Sequence, residues 1–159
     1  MTREYNYLWT TDDCMAEHYF ICEEDSKDDH GCLFGWTFNN GKCYNFVNTT
    51  SKNFDGSRQQ CLSAGAHLVT ITNHTDNQFV TSLINETCPS CVAFIGYNDI
   101  DTEGVFSWDG GFVGEYENWS PSNTLTDTND CVLLDSSDGT WRETSCSQPN
   151  GFVCEMTVA

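Results

Sequence analysis

The chain closes on Trp141-Arg142-Glu143-Thr144-Ser145-Cys146-Ser147-Gln148-Pro149-Asn150-Gly151-Phe152-Val153-Cys154-Glu155, in which a tryptophan, two cysteines and an acid frame a short apolar run. The same frame stands near the start, as Trp9-Thr10-Thr11-Asp12-Asp13-Cys14-Met15-Ala16-Glu17-His18-Tyr19-Phe20-Ile21-Cys22-Glu23. Without a gap, Trp9 falls on Trp141, Cys14 on Cys146, Phe20 on Phe152, Cys22 on Cys154 and Glu23 on Glu155. Repetition at a fixed interval marks tandem units. The sequence therefore divides into a C-terminal remnant of one repeat (residues 1–23), a polar linker (24–31) and one complete domain (32–159). Cys14 and Cys22 are expected to have lost partners that lie upstream, which leaves them free or in a non-native pair. Segment 1–23, parted from its own sheet, is expected to dock loosely.

Composition narrows the class. Hydrophobic residues make up only 38% of the chain, while ten cysteines and 13% aromatics describe a loop-rich domain stapled by disulfides. Acids number 24 against 6 bases, for a formal charge of −18. The bases are scattered at positions 3, 27, 42, 52, 58 and 142, so no basic stripe exists for phosphates. Nucleic acid and anionic membrane are excluded as partners, and multivalent cations are favoured. No apolar run approaches the ~18 residues of a membrane span. Met1 to Glu4 lack the apolar segment of a secretory leader. Yet the cysteines and four Asn-x-Ser/Thr sequons, at Asn48, Asn73, Asn85 and Asn118, point to an extracellular or secreted protein. A leader further upstream is expected. Pro121 weakens the sequon at Asn118.

Within 32–159 the periodicity changes twice. Gly35-Trp36 and Cys43-Tyr44-Asn45-Phe46 flank an Asn40-Gly41 turn and read as a hairpin. From Asn53, the positions Phe54, Cys61, Leu62, Ala64 and Ala66 recur at helical spacing as far as Gly65. A second helix carries Phe79, Val80, Leu83 and Ile84 on one face. Cys91 to Gly96 reads as a short strand, residues 97–130 as irregular, and Val132-Leu133-Leu134, Trp141 onward and Phe152-Val153-Cys154 as buried strands. Two helices with short strands and one long loop make an α+β fold.

These residues resemble a known family. Gly35-Trp36, Cys43-Tyr44, Cys61, Ala66-His67-Leu68-Val69, Phe94-Ile95-Gly96, Phe106-Ser107-Trp108, Asn118-Trp119, Asp130-Cys131-Val132, Trp141 with Cys146, and Phe152-Val153-Cys154-Glu155 look like a C-type lectin-like domain in its long form. The likeness runs from Cys32 to Glu155, and covers 9–23 as the tail of another copy. It implies the pairs Cys32–Cys43, Cys61–Cys154 and Cys131–Cys146. Cys88-Pro89-Ser90-Cys91 is extra to that set. A thioredoxin-like reading needs a strand before the pair and a helix after it; the order here is reversed, so a local structural disulfide is expected. The histidines at 18, 30, 67 and 74 show no zinc-site spacing.

The resemblance implies two sets of oxygen ligands in the long loop. Asp99, Glu103 and Asp130, with Asn123 and the backbone carbonyl of Asn129, match an auxiliary calcium site; their alternative is a set of solvated loop acids. The second set is the cage in which sugar-binding relatives hold calcium and, through it, two sugar hydroxyls. Ser120-Pro121-Ser122 stands at its first triplet, Trp141-Arg142-Glu143 at its second, and Asn129 at a further ligand position. A second register puts the first triplet in residues 123–126, again with no acid beside a proline. Only Glu143 and Asn129 keep suitable oxygens. An Arg142 guanidinium about 5 Å from the ion would be repelled by roughly 7 kcal/mol. The cage reads as dismantled.

Candidate ligand-binding residues are thus Ser120, Ser122, Asn129, Arg142, Glu143 and Tyr116, whose ring is available for sugar stacking or for the core. Trp119 and Trp141 read as core. No nucleophile–base spacing or phosphate loop supports an enzyme. The expected function is extracellular recognition of a carbohydrate or glycoprotein without the usual calcium–sugar triplets. Calcium-independent protein binding, or a structural role in a multidomain receptor, is the rival.

Overall fold

A computed structural model describes residues 27–112, 114–124 and 126–158, together with residues 13 and 15. Cys14, Cys22 and, apart from residues 13 and 15, the rest of the N-terminal repeat remnant lie outside the described residues. The Asn40-Gly41 turn (φ 48° and 78°) joins β1 (Thr37–Asn39) to β2 (Lys42–Lys52), the left-handed pair a two-residue hairpin turn requires. Helix α1 (Phe54–Ser63) starts where the Asn53 side chain accepts from the Gly56 N–H at 2.8 Å, and stops at Ala64 before Gly65 (φ 72°). Its buried face is Phe54, Ser57 and Cys61. Leu62, read from the sequence as part of the apolar set, is exposed, because one residue of helix turns it about 100° from Cys61.

After β3 (His67–Leu68), Asn73 caps α2 (His74–Thr87), which buries Asn77, Val80 and Ile84. β4 (Val92–Asn98) runs two residues beyond Gly96, into the stretch expected to be irregular, and β5 (Ser107–Trp108) pairs with that extension. β6 (Cys131–Asp135), β7 (Trp141–Thr144) and β8 (Asn150–Thr157) complete the sheet, ordered β1-β2-β8-β4-β6-β7. Among these pairs only β4 with β8 is parallel.

Strand alternation separates two cores. Ala93, Ile95, Val132, Leu134 and Val153 pack with α2 and the aromatics Tyr97, Trp108 and Trp141. Phe94, Cys131, Leu133, Phe152 and Cys154 pack with Phe54 and Cys61 of α1. Disulfides join Cys32 to Cys43, Cys61 to Cys154, Cys88 to Cys91 and Cys131 to Cys146, with Cα separations of 5.5, 5.4, 5.6 and 5.1 Å.

The α2 core also holds a polar node. Trp141 Nε1 donates to Asn77 Oδ1 at 2.8 Å, and Asn77 Nδ2 donates to the Gly139 carbonyl at 2.9 Å. Asn118 Nδ2 donates to that same carbonyl at 2.8 Å, tying the long loop to helix and sheet.

Glu155 is buried in β8, where Lys42 Nζ reaches both carboxylate oxygens at 3.3 Å and His67 Nε2 lies 3.7 Å away. Burial raises its pKa, and the charges of Lys42 and His67 oppose that shift. Lys42→Met leaves a buried carboxylate short of its main partner and is expected to cost about 3 kcal/mol at neutral pH. A carboxyl with a raised folded-state pKa takes up its proton in the folded chain first as pH falls. The loss in this variant should therefore shrink towards about pH 4. Urea denaturation at the two pH values measures it.

Candidate functional site

The candidate site is built on β7 and the loop that precedes β6. Trp141 N donates to the Asn118 carbonyl, and Ser120 N donates to the Trp141 carbonyl, each at 2.8 Å. This ladder aligns residues 118–120 beside the strand. Two residues on from Trp141, Glu143 N donates to Asn123 Oδ1 at 2.9 Å, and Thr126 N donates to Glu143 Oε2 at 2.9 Å. Ser120 and Ser122 meet through their hydroxyls at 3.0 Å. The structure thus brings Ser120, Ser122, Asn123 and Glu143 onto one stretch of loop and strand.

Arg142 does not join them. Neighbouring residues of a strand point to opposite faces, and its guanidinium pairs with Asp135 Oδ2 at 3.5 Å. Tyr116 is half-buried, with its ring 5.8 Å from that of Trp141 in edge contact; it packs against the α2-side core. Its hydroxyl is buried without a partner among the described residues, and burial raises its pKa. Tyr97 is buried outright and donates its hydroxyl to Glu117 at 2.7 Å. Trp119 lies against the same aromatic cluster. Asn129 is half-buried, its N–H donating to the Thr126 carbonyl at 3.2 Å.

The acids form a shared electrostatic field. Asp99, at the end of β4, is buried; its Oδ2 accepts from Gly104 N at 2.9 Å and its N–H donates to the Asp130 carbonyl at 3.1 Å. Its Oδ1 is buried with no partner among the described residues. Desolvation, then the charges of Asp99, Asp127 and Asp130, hold the Glu103 carboxyl above its ordinary range. Burial, then Asp99, Glu103 and Asp130, raise that of Glu143 against the pull of the Thr126 N–H. An orphaned carboxylate oxygen among mutually repelling acids is the chemistry a hard cation satisfies. Among the described residues, however, no three acidic side chains are already closed around one point. Asn123 offers less than expected, since a backbone N–H already occupies its oxygen. Asp127 was missed in the sequence. Only the density of acids and amides in residues 127–130 could have flagged it.

The model of the C-type lectin domain matches residues 50–156. The chain belongs to the C-type lectin domain family. Lectin BRA-3 of Megabalanus rosa is 30% identical over 128 residues, spanning 77% of this chain and 76% of that protein. C-type mannose receptor 2 of Homo sapiens is 26% identical over 160 residues, spanning 94% of this chain. This chain spans 11% of the receptor. Among solved structures, the cow CD23 carbohydrate-recognition domain, determined in the presence of a GlcNAc2Man3 oligosaccharide, superposes with a TM-score of 0.70 at 28% identity. That match covers 80% of this chain and 97% of the CD23 domain. The lectin domain described here is therefore an α+β, disulfide-bonded member of a carbohydrate-binding family with extracellular relatives. No helix among its described residues is long and apolar enough to cross a membrane.

Proposed function

We propose that this lectin domain is an extracellular recognition module that takes a carbohydrate or glycoprotein on its long-loop face without a calcium–sugar cage. One observation carries the reading: Glu143, the one carboxylate in the two triplets, already accepts from Thr126 N–H. Asn123 is spent on the strand, and Arg142 is turned onto Asp135. The Ser120 and Ser122 hydroxyls are open to a ligand, and they donate to and accept from sugar hydroxyls directly. A glycan array read in calcium and again in chelator tests this. Binding should be equal in the two conditions; chelator-sensitive binding to simple hexoses would defeat the proposal. Direct protein binding is the second reading, favoured by the exposed apolar side chains Ile100, Val105 and Phe112 in and beside the same loop.

Calcium has a separate place in the proposal. Asp99, Glu103 and Asp130 would hold it, with Asn129 supplying a carbonyl, and the ion would neutralise the repulsion that raises Glu103. Calorimetric titration should detect uptake in the native chain and none in Glu103→Ala. Protons compete for the same oxygens, and Glu103 takes up its proton above the ordinary range. Uptake should therefore weaken as the pH falls, beginning above the usual carboxylate pKa; affinity unchanged at about pH 5 would contradict the assignment.

Residues 1–23 belong in this proposal as the tail of a preceding copy, 24–31 as linker and 32–159 as the domain. The support is the ungapped repeat and the mannose receptor match over 94% of the chain, against a family match that begins at residue 50.

A further inference from the structure

We propose that Asn48 and Asn85 carry N-linked oligosaccharide in the secreted protein and that Asn118 does not. All three stand in acceptor sequons, Asn48-Thr49-Thr50, Asn85-Glu86-Thr87 and Asn118-Trp119-Ser120. In the transfer, the side-chain amide nitrogen attacks the anomeric carbon of an oligosaccharide carried on a lipid pyrophosphate. The new N–C1 bond forms as the C1–O bond to pyrophosphate breaks. The amide gives up one proton, and the lipid pyrophosphate departs with the bonding pair. The nitrogen must then bear a bulky substituent in the folded chain.

The three nitrogens differ in what surrounds them. Asn48 is exposed on β2, at the rim of a hollow of about 390 Å³ that Ser51, Cys88, Ser90 and Cys91 also line. Asn85 is exposed on α2 and uses only its oxygen, accepting from Ser90 N at 3.2 Å. Among the described residues no hydrogen bond engages its nitrogen. Asn118 is half-buried, and its nitrogen is committed to the Gly139 carbonyl beside Asn77. That pocket is crowded: a Cβ placed on Gly139 would meet Thr81 Oγ1 at 3.0 Å and Asn77 Nδ2 at 3.2 Å. Transfer precedes folding, so the fold acts as the later filter. A chain substituted at Asn118 would have to surrender the node that anchors the long loop. Pro121, directly after the sequon, disfavours the acceptor conformation as well. Asn73 uses both amide hydrogens in the α2 cap but faces solvent, so it does not discriminate.

The placement also has a sense of direction. Both accepted sites border the Cys88–Cys91 end of β4, while Asp99 lies at its other end, about 23 Å of strand away. Glycans there shield the bridge and leave the acids around Asp99 open.

Glycopeptide mapping of the full chain, secreted from eukaryotic cells behind a cleavable leader, tests the assignment. Asn48 and Asn85 should be occupied and Asn118 bare. Thr50→Ala and Thr87→Ala, which keep every asparagine, should each remove one glycan from the intact mass, and Ser120→Ala none. A bare Asn48 or Asn85, or a glycan on Asn118 in folded secreted protein, overturns the proposal. Forced secretion separates this outcome from any question of where the protein normally resides.

Discussion

Replacing Cys61 and Cys154 together by alanine is expected to leave the domain unfolded at 37 °C. The bridge closes a separation of 93 residues, for which chain entropy allows about 4.6 kcal/mol. That rivals the whole net stability of an ordinary domain, about 5–15 kcal/mol. Both sulfurs are also buried among Phe54, Phe94 and Phe152, so alanine removes packing atoms from the core under α1. The Cys88–Cys91 bridge is the control. It closes a separation of 3, for which the same relation allows only about 1.6 kcal/mol, and it sits at the surface end of β4. Thermal melts of the two double variants should place the first far below the second. Similar melting points would show that the long bridge does not hold α1 to β8.

The second large effect is expected at Trp141→Ala, at about 4 kcal/mol. Trp141 is fully buried, and its ring lies 5.6 Å from Tyr97, 5.7 Å from Trp108 and 6.1 Å from Trp119. Truncating a buried tryptophan costs about 3–5 kcal/mol through lost transfer energy and the cavity left behind. Here it also strips Asn77 Oδ1 of its donor, loosening the side chain that holds Gly139 and, through it, Asn118. Trp141→Phe separates the two contributions. It keeps most of the ring and loses the indole N–H, so its cost should fall to about 1–3 kcal/mol. Equal denaturant midpoints for the two variants would mean that ring packing adds little to the node, and a Trp141→Phe midpoint at the native value would mean that the node contributes little.

The scaffold was legible because its signals are local and chemically distinct. Asn40-Gly41 can hardly be other than a hairpin turn, the change of period from Asn53 marks a helix, and Trp141, Cys146 and Cys154 mark the closing strands twice over. The site was legible only in part. That Ser120-Pro121-Ser122 lacks acids is plain from the letters alone. That Arg142 turns to Asp135 follows from strand alternation once Trp141 begins a strand, yet its partner lies across the β6–β7 turn. Leu62 was misplaced because an apolar residue beside a half-cystine looks like core until the helix is wound. Asn123 looked like a ligand, but hydrogen bonding to a backbone N–H twenty residues away leaves no mark in a sequence. Tyr116 could have faced either way; packing against Trp141 put its ring with the core.

In this proposal calcium and sugar are uncoupled, because the cage through which an ion would bridge protein and hexose is read as dismantled. Linkage makes that measurable, because a sugar that coordinates the ion must tighten calcium binding by the same factor as calcium tightens sugar binding. Calcium should be titrated calorimetrically into the chain alone, and again in high concentrations of methyl mannoside and of methyl galactoside. The account predicts one calcium affinity in all three titrations; a tenfold tightening in either sugar would contradict it.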